Sequence, residues 1–158
     1  MTIKFFRVES NQMTIENRKA RFDYEILDTY VAGISLQGWE VKSIRAGSAN
    51  LKSAWVVVRN GEAFLDNFSV SPWKFSREIQ PEKRSRKLLL HKKELKKLET
   101  KANERGNTII PLKIFDQKGK LKCELAVARG KRKYEKRQVL KNRSVERTIR
   151  QTLKNFNS

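Results

Sequence analysis

Cysteine and histidine are almost missing from this sequence, and their scarcity excludes two classes of protein. The 158 residues contain one cysteine, Cys123, and one histidine, His91. A single cysteine cannot build a disulfide framework within the chain and is typical of the reducing cytoplasm. One cysteine and one histidine are also too few for a conventional zinc site. We therefore expect a cytoplasmic protein with no metal and no other cofactor.

Signatures of membrane proteins and enzymes are missing too. No apolar run is long enough to span a bilayer, and the amino terminus carries neither a signal peptide nor a lipidation motif. The chain has no P-loop, no dinucleotide fingerprint and no paired-carboxylate motif. No motif gives His91 an acidic or serine partner, so we interpret it as packed or RNA-facing, and Cys123 as a core residue. From these absences we predict that the protein is neither a membrane protein nor an enzyme.

Acidic residues are scarce relative to basic ones. Lysine and arginine number 36 against 17 acidic residues, which gives a net charge of +19. So large an excess on a small protein favours a polyanionic partner, with nucleic acid ahead of an anionic membrane. Because the membrane signals are missing, we predict that the partner is a nucleic acid.

The chain changes character at Gly130. Before it, four apolar residues alternate with other types and predict a half-buried strand; they are Leu121, Cys123, Leu125 and Val127. After it, residues 131–158 hold ten basic and two acidic residues and too few apolar ones for a core. We predict a folded domain over residues 1–130, with 1–12 frayed, and a tail over 131–158 that is disordered when free.

Turn chemistry and hydrophobic periodicity predict the elements of the domain. Asn60-Gly61 between two apolar runs predicts a hairpin, because a type I′ turn needs positive φ at both central residues. The hairpin's first strand, 54–59, is apolar on both faces, so both should be covered. We further predict strands at 22–34, 62–70, 110–115 and 121–129, and helices at 36–45 and 87–105. About six strands, two or three helices and no regular βαβ alternation predict a mainly β fold: an antiparallel sheet closed into a small barrel.

Leu89 and Lys122 each leave two interpretations open. In the predicted helix 87–105 the apolar stripe is Leu88, His91, Leu95, Leu98 and Ala102. Leu89 lies off this stripe, among lysines. Either the helix phase is wrong by one residue and Leu89 is core, or it is an exposed apolar side chain on which an unstacked base could lie. Lys122 points outward from its strand, either into solvent or towards RNA.

The end of the tail has a helical pattern despite its charge. Val145, Ile149, Leu153 and Phe156 recur at steps of three and four, and Ser144 is a candidate N-cap. A helix this short is marginal alone in water. We therefore expect part of the tail to become helical only on contact with a partner.

Five segments in order resemble those of one family. They are NRKAR (17–21), GISLQGWEVKSIRAGSANL (33–51), RNGEAFL (59–65), RKLLLHKKEL (86–95) and VARGKRKYEKR (127–137). Together they resemble the SmpB family of bacterial SsrA-binding proteins, which partner tmRNA in trans-translation. The resemblance implies an OB-fold-like barrel with flanking helices, whose face holds the tRNA-like domain of tmRNA. It also implies a monomer whose tail enters the decoding centre and mRNA channel of the 70S ribosome, with EF-Tu and alanyl-tRNA synthetase as indirect partners through tmRNA.

The resemblance also implies two sets of site residues. The tmRNA-binding set is Asn17, Lys19, Arg21, Leu89, His91 and Lys122. The ribosome-contacting set in the tail is Lys131, Lys133, Tyr134, Lys136, Arg137, Val145, Ile149 and Leu153. The chain departs from the family pattern in places: His91 replaces a usual asparagine, and Val31 stands where a glutamate is common. Asp28 is a candidate to supply that carboxylate.

Two other functions remain as alternatives. A structural ribosomal protein with a basic tail would have a similar composition, and an enzyme acting on RNA would share the charge. The enzyme lacks support because no acid–base or metal-ligand constellation is present. The RNA recovered with the protein would separate a tmRNA adaptor from a ribosomal protein.

Overall fold

The computed structural model describes residues 14–77 and 80–156, so the predicted fraying of residues 1–12 lies outside the described residues. Within the described ranges the chain forms nine strands and four helices. The strands are β1 (Thr14–Glu16), β2 (Tyr24–Ile34), β3 (Ala49–Asn50), β4 (Trp55–Arg59), β5 (Glu62–Asp66), β6 (Ser69–Val70), β7 (Arg86–Leu89), β8 (Asn107–Gln117) and β9 (Lys120–Gly130). The helices are α1 (Ala20–Asp23), α2 (Gly38–Arg45), α3 (Lys92–Ala102) and α4 (Lys133–Phe156).

Antiparallel pairing closes the main sheet into a barrel. Its strand order is β1-β8-β4-β5-β7-β2-β9, and an additional pairing of β8 with β9 joins the ends into a ring of six strands. β1 lies outside the ring on β8, and β3 pairs with β6 in a separate small sheet. Closure removes the exposed edges of the ring strands. The predicted mainly β fold, an antiparallel barrel of about six strands with flanking helices, is confirmed.

The predicted hairpin at Asn60-Gly61 is present between β4 and β5. Asn60 has a φ of 51° and Gly61 a φ of 70°, as a type I′ turn requires. The strand predicted at 62–70 is split, because β5 ends at Asp66 and β6 turns away to pair with β3. The prediction that both faces of the first strand are covered is wrong at Trp55, which is 48% exposed.

The second half of β9 is buried on two faces rather than one. Leu121, Cys123, Leu125 and Val127 lie in the main core, as the alternation predicted. Ala126 and Ala128 are buried as well, in a second cluster with Ala20 of α1. The short helix α1 therefore covers the outer face at the end of β9. The predicted half-buried strand is wrong for this end, because a helix of four residues leaves little periodic signal.

The helix predicted at 87–105 is wrong in its first part. Arg86–Leu89 is strand β7, which pairs with β2 on one side and with β5 on the other. The helix occupies only Lys92–Ala102. Along β7 the side chains alternate: Arg86 and Leu88 are buried, whereas Lys87 and Leu89 are exposed. Ladder hydrogen bonds on both sides outweigh the helix propensity of this leucine- and lysine-rich segment. Leu88 belongs to the core and His91 caps the helix, so neither belongs to a helical stripe.

A buried ion pair holds β7 against α2. Arg86 and Glu40 are both fully buried, and the Arg86 Nε donates to Glu40 Oε1 at 2.8 Å. Arg86 also donates to the carbonyls of Phe68, Arg84 and Glu82. Burial alone would raise the pKa of Glu40, but the hydrogen bonds from Arg84 and the Gln37 N–H and the charge of Arg86 outweigh it and hold the pKa below its usual value.

The tail is helical from its third residue, Lys133, onward. Helix α4 runs from Lys133 to Phe156, so Ser144 lies inside it and the predicted N-cap is wrong. The Arg132 N–H donates instead to Glu135 Oε2 at 2.7 Å, which closes a cap at the first turn. No residue of α4 is buried. That the tail is disordered in the free protein stays a prediction.

Candidate RNA interface

A row of side chains crosses the outer face of the barrel on three adjacent strands. Gly33 of β2 lies opposite Leu89 of β7 on one side and opposite Lys122 of β9 on the other. Directly opposed residues on neighbouring strands point to the same face of a sheet. Leu89 is 55% exposed, which decides between its two interpretations. Phe115 of β8 lies opposite Lys122 and extends the row by one strand.

A second row lies beside the first. Val31 of β2 lies opposite Glu124 of β9, and Glu124 lies opposite Lys113 of β8. The Glu124 carboxylate forms an ion pair with Lys113 at 3.3 Å, and the Lys113 ammonium lies 5.4 Å from the centre of the Phe115 ring. Val31 is 46% exposed. The face therefore combines exposed apolar side chains with a lysine, Lys122, for which no ion pair is found among the described residues.

Asp28 does not replace the missing glutamate at position 31. It lies opposite Val127, a core residue, and so points to the other face of β2 from Val31. Its carboxylate accepts hydrogen bonds from Lys101 of α3 and, at 3.0 Å, from the Tyr30 hydroxyl. The bonds from Lys101 and then Tyr30 lower the pKa of Asp28, which keeps it ionised and paired. The candidate role of Asp28 as a substitute carboxylate on this face is wrong.

His91, Leu89 and Lys122 line one cavity of 440 Å³ together with Gly33 and Val31. His91 is the N-cap of α3 and is exposed, and its backbone N–H donates to Glu94 Oε2 at 3.3 Å. The imidazole therefore lies at the N-terminus of α3 and is not packed in the core. Three of the six predicted tmRNA-binding residues thus meet in one place.

A second cavity of 440 Å³ lies on the α2 side of the same row. It shares Gly33, Leu89 and Lys122 with the first cavity and adds Arg45 of α2 and Lys120. Arg45 donates to the Gly119 carbonyl at 2.9 Å and forms an ion pair with Asp116 at 3.3 Å. Nothing in the sequence pattern indicates that Arg45 lies beside Leu89, because the two residues meet only through the packing of α2 against the barrel.

Asn17, Lys19 and Arg21 lie elsewhere. The Asn17 side chain donates to the Pro111 carbonyl at 3.1 Å and its backbone N–H to the Leu112 carbonyl at 2.8 Å, so it fastens the start of the fold to β8. Asn17 and Lys19 line a separate cavity of 240 Å³ with Lys52 and the exposed Trp55. Arg21 is exposed on α1. The six predicted residues therefore form two groups, not one face.

The base of the tail rests on α1. The Lys131 N–H donates to the Asp23 carbonyl at 2.9 Å, and the Lys136 ammonium lies 3.1 Å from the Asp23 carboxylate. The Arg143 guanidinium lies 5.7 Å from the centre of the Phe22 ring. The predicted tail residues Lys133, Tyr134 and Arg137 are exposed on the first turns of α4.

Beyond this base the apolar stripe of α4 faces outward. Val145, Ile149 and Leu153 are each more than half exposed, and Phe156 is more exposed still. An apolar helical face that packs on no described part of the fold is typical of a surface that needs a partner.

Metal and nucleophilic chemistry find no support in the described part of the chain. No cluster of three or more His, Cys, Asp or Glu residues within 14–77 and 80–156 could hold a metal ion. Burial raises the pKa of Cys123 to about 12, so its thiol stays protonated at neutral pH. None of the helices in these residues is both long and apolar enough to cross a membrane.

Comparison with known proteins adds independent findings. The family model of the SmpB protein matches residues 14–155. An SsrA-binding protein of Chlorobium phaeovibrioides is 50% identical over 145 residues, which cover 90% of this chain and 92% of the relative. One of Staphylococcus epidermidis is 51% identical over 140 residues, which cover 88% and 90%. A solved chain described as "tmRNA-SmpB: a journey to the center of the bacterial ribosome" superposes with a TM-score of 0.66 at 43% identity and covers 81% of this chain and 94% of its own.

Proposed function

This chain belongs to the SmpB family, and from that premise we propose that it is a tmRNA-binding adaptor of trans-translation. It binds the tRNA-like domain of tmRNA and, with it, enters ribosomes that have stalled. The observation that carries the proposal is the row Leu89–Gly33–Lys122, in which an exposed apolar side chain and a lysine flank a glycine on a rigid sheet face. The chain acts by binding, and no step of its function is catalysis by its own residues.

On the barrel, the two groups of predicted residues take different parts of the RNA. Leu89 offers an apolar surface to an unpaired base, Lys122 a charge to a neighbouring phosphate, and His91 a ring that both donates and accepts hydrogen bonds. Lys19 and Arg21, on the α1 side, contact backbone phosphates. Asn17 acts mainly by holding that side in place, since its amide is already bonded to backbone.

In the tail, α4 works on the ribosome rather than on tmRNA. Its basic residues meet rRNA phosphates in the decoding centre and the mRNA channel, while Tyr134 stacks on a base. The stripe Val145, Ile149 and Leu153 packs on the channel wall. The barrel and the tail thereby stand in for the codon–anticodon pairing that tmRNA lacks. EF-Tu and alanyl-tRNA synthetase act on the same complex through tmRNA, in the cytoplasm.

The RNA recovered with the protein tests this function. The tagged full-length chain is purified from the cells that naturally express it, and the bound RNA is sequenced. A single enriched tmRNA species is expected. Ribosomal RNA at fixed stoichiometry, with no tmRNA enrichment, would instead identify a structural ribosomal protein.

A further inference from the structure

Gly33 is a glycine that the backbone does not require. It lies near the end of β2, and its φ is outside the left-handed region that favours glycine. Glycine inside a strand weakens it, because the unfolded chain loses more freedom and no side chain packs. The reason for glycine at this position must therefore lie in the space that a side chain would occupy.

That space is bounded by Leu89. A Cβ added to Gly33 would lie 3.3 Å from the Leu89 Cβ and 3.5 Å from the Leu89 Cδ1, and the three nearest atoms all belong to Leu89. The first of these distances is tighter than an ordinary carbon–carbon contact. The missing side chain thus lets Leu89 settle low over the sheet beside bare backbone.

The bare backbone joins two cavities. Gly33, Leu89 and Lys122 line both 440 Å³ cavities, so Gly33 lies on the boundary between them. One cavity carries Lys92 at the start of α3, and the other carries Arg45 and Lys120. Two glutamates also line the first cavity, but Glu62 is paired with Lys87 and Glu94 accepts from the His91 N–H. A low floor with an apolar wall and cations on both sides matches the chemistry of a nucleotide: a base on the floor and phosphates at either side.

We propose that Gly33 is the floor of a niche for one unpaired nucleobase, and that its missing side chain lets the base lie between Leu89 and Lys122. The base stacks against Leu89 and the partly exposed backbone of β2, and the RNA strand continues past the cations. Gly33 therefore selects for an unstacked nucleotide rather than for duplex RNA, whose bases cannot reach the floor. This inference rests on the proposed function.

The test adds volume at the floor without changing charge. Gly33→Val and Gly33→Ala are made in the full-length chain, and binding to in vitro transcribed tmRNA is measured at several salt concentrations. Gly33→Val should weaken binding by about tenfold, since stacking on one base is lost. Gly33→Ala should weaken it less, because a shift of Leu89 by a few tenths of an ångström admits one methyl group. The salt dependence should be unchanged in both, because no phosphate contact is removed.

Gly38→Ala is the matched control. It makes the same chemical change at the start of α2, where nothing lies within 4 Å of the added Cβ. Its affinity for tmRNA should equal that of the wild type. Chemical probing of the bound RNA gives a second readout: an unpaired nucleotide that the wild type protects should become reactive with Gly33→Val and stay protected with Gly38→Ala.

The outcomes separate this inference from the proposed function. A wild type that does not bind tmRNA contradicts the proposed function itself. Wild-type affinity and protection in Gly33→Val overturn only the niche, as does a loss of affinity with every base still protected, which would indicate another occupant such as a protein side chain. If Gly33→Val does not fold, full wild-type affinity of Gly33→Ala overturns the niche equally.

Discussion

The outer face of β7, β2 and β9 and the outer part of helix α4 both expose apolar side chains among basic ones, but they hold them differently. Leu89 lies on a strand with a paired neighbour on each side, and the buried Arg86 on the same strand is fastened to Glu40. Among the described residues, contacts of Lys131, Lys136 and Arg143 with α1 fasten the base of the tail, whereas the side chains of the α4 stripe stay more than half exposed. A preorganised face loses little entropy on binding, whereas a helix that projects can be guided into place by its target. The barrel face is suited to a fixed RNA shape and the tail to a channel.

The largest expected effect comes from substitutions in the apolar stripe of the tail. Ile149→Asp with Leu153→Asp should abolish tagging of nascent chains on stalled ribosomes, because each carboxylate would have to be desolvated unpaired against the channel wall. Affinity for tmRNA and the melting temperature should hold. A reconstituted translation system measures the tagging, filter binding measures the affinity for tmRNA, and thermal unfolding measures the melting temperature.

Gln151→Asp with Asn155→Asp is the matched control for this double variant. It adds the same charge at the same spacing on the opposite face of α4, where both residues are exposed, and should retain most of the tagging. Equal loss in both pairs would mean that net charge, not the stripe, is what matters.

The next largest effect comes from removing the buried ion pair that holds β7 in the barrel. Glu40→Gln leaves Arg86 buried with an uncompensated charge and should lower the free energy of unfolding by about 3–5 kcal/mol. Denaturant unfolding measures it. Glu62→Gln removes the exposed partner of Lys87 on the neighbouring strand and should cost under about 1 kcal/mol. Similar losses in the two variants would argue against β7 being held by its buried pair.

The pH dependence of stability sharpens the same point. Because the folded-state pKa of Glu40 lies below its usual value, its stabilising contribution is complete above the unfolded pKa and is lost as pH falls through the folded one. The stability difference between the wild type and Glu40→Gln should therefore be largest near neutral pH and shrink below about pH 4. A difference that grew on acidification would contradict the lowered pKa.

Leu88 and Leu89 give the closest comparison within one strand. Leu88→Ala should cost about 2–5 kcal/mol of stability, because it opens a cavity in the core. Leu89→Ala should leave the unfolding free energy nearly unchanged and weaken tmRNA binding by about 1–3 kcal/mol. Thermal unfolding and RNA titration on both variants measure the contrast. A large loss of melting temperature in Leu89→Ala would remove Leu89 from the RNA site.

Lys122→Ala has the smallest expected effect. It should weaken tmRNA binding by about 1 kcal/mol and reduce the slope of log affinity against log salt by about one, if the ammonium meets a phosphate. Lys83→Ala, an exposed lysine in the loop before β7, should leave both unchanged. A slope that stays the same in Lys122→Ala would make that lysine a bystander.

Local chemistry was enough to predict several elements. Asn60-Gly61 specifies its turn because few other dipeptides accept positive φ twice, and the alternation from Leu121 to Val127 specifies which side of β9 is core. The helix around Val41 and Ile44 is present as α2, although it starts at Gly38. The resemblance to the SmpB family is confirmed, since the family model matches residues 14–155.

The run Leu88-Leu89-Leu90 could not be assigned from its own residues. Three leucines flanked by lysines satisfy a helical stripe as readily as a strand, and only pairing with β2 and β5 decided for the strand. For the same reason the position of Leu89 beside Lys122, which lies far along the chain, could not be derived from spacing.

By itself, then, the sequence determined a basic, mainly β domain with an amphipathic tail, because charge, alternation and turn residues act over a few neighbouring positions. The tertiary structure alone decided that Leu89, Gly33 and Lys122 form one row, that Asn17 and Lys19 lie apart from it, and that Asp28 faces away. These outcomes depend on strand register and ring closure, which are set by contacts between residues distant in the chain.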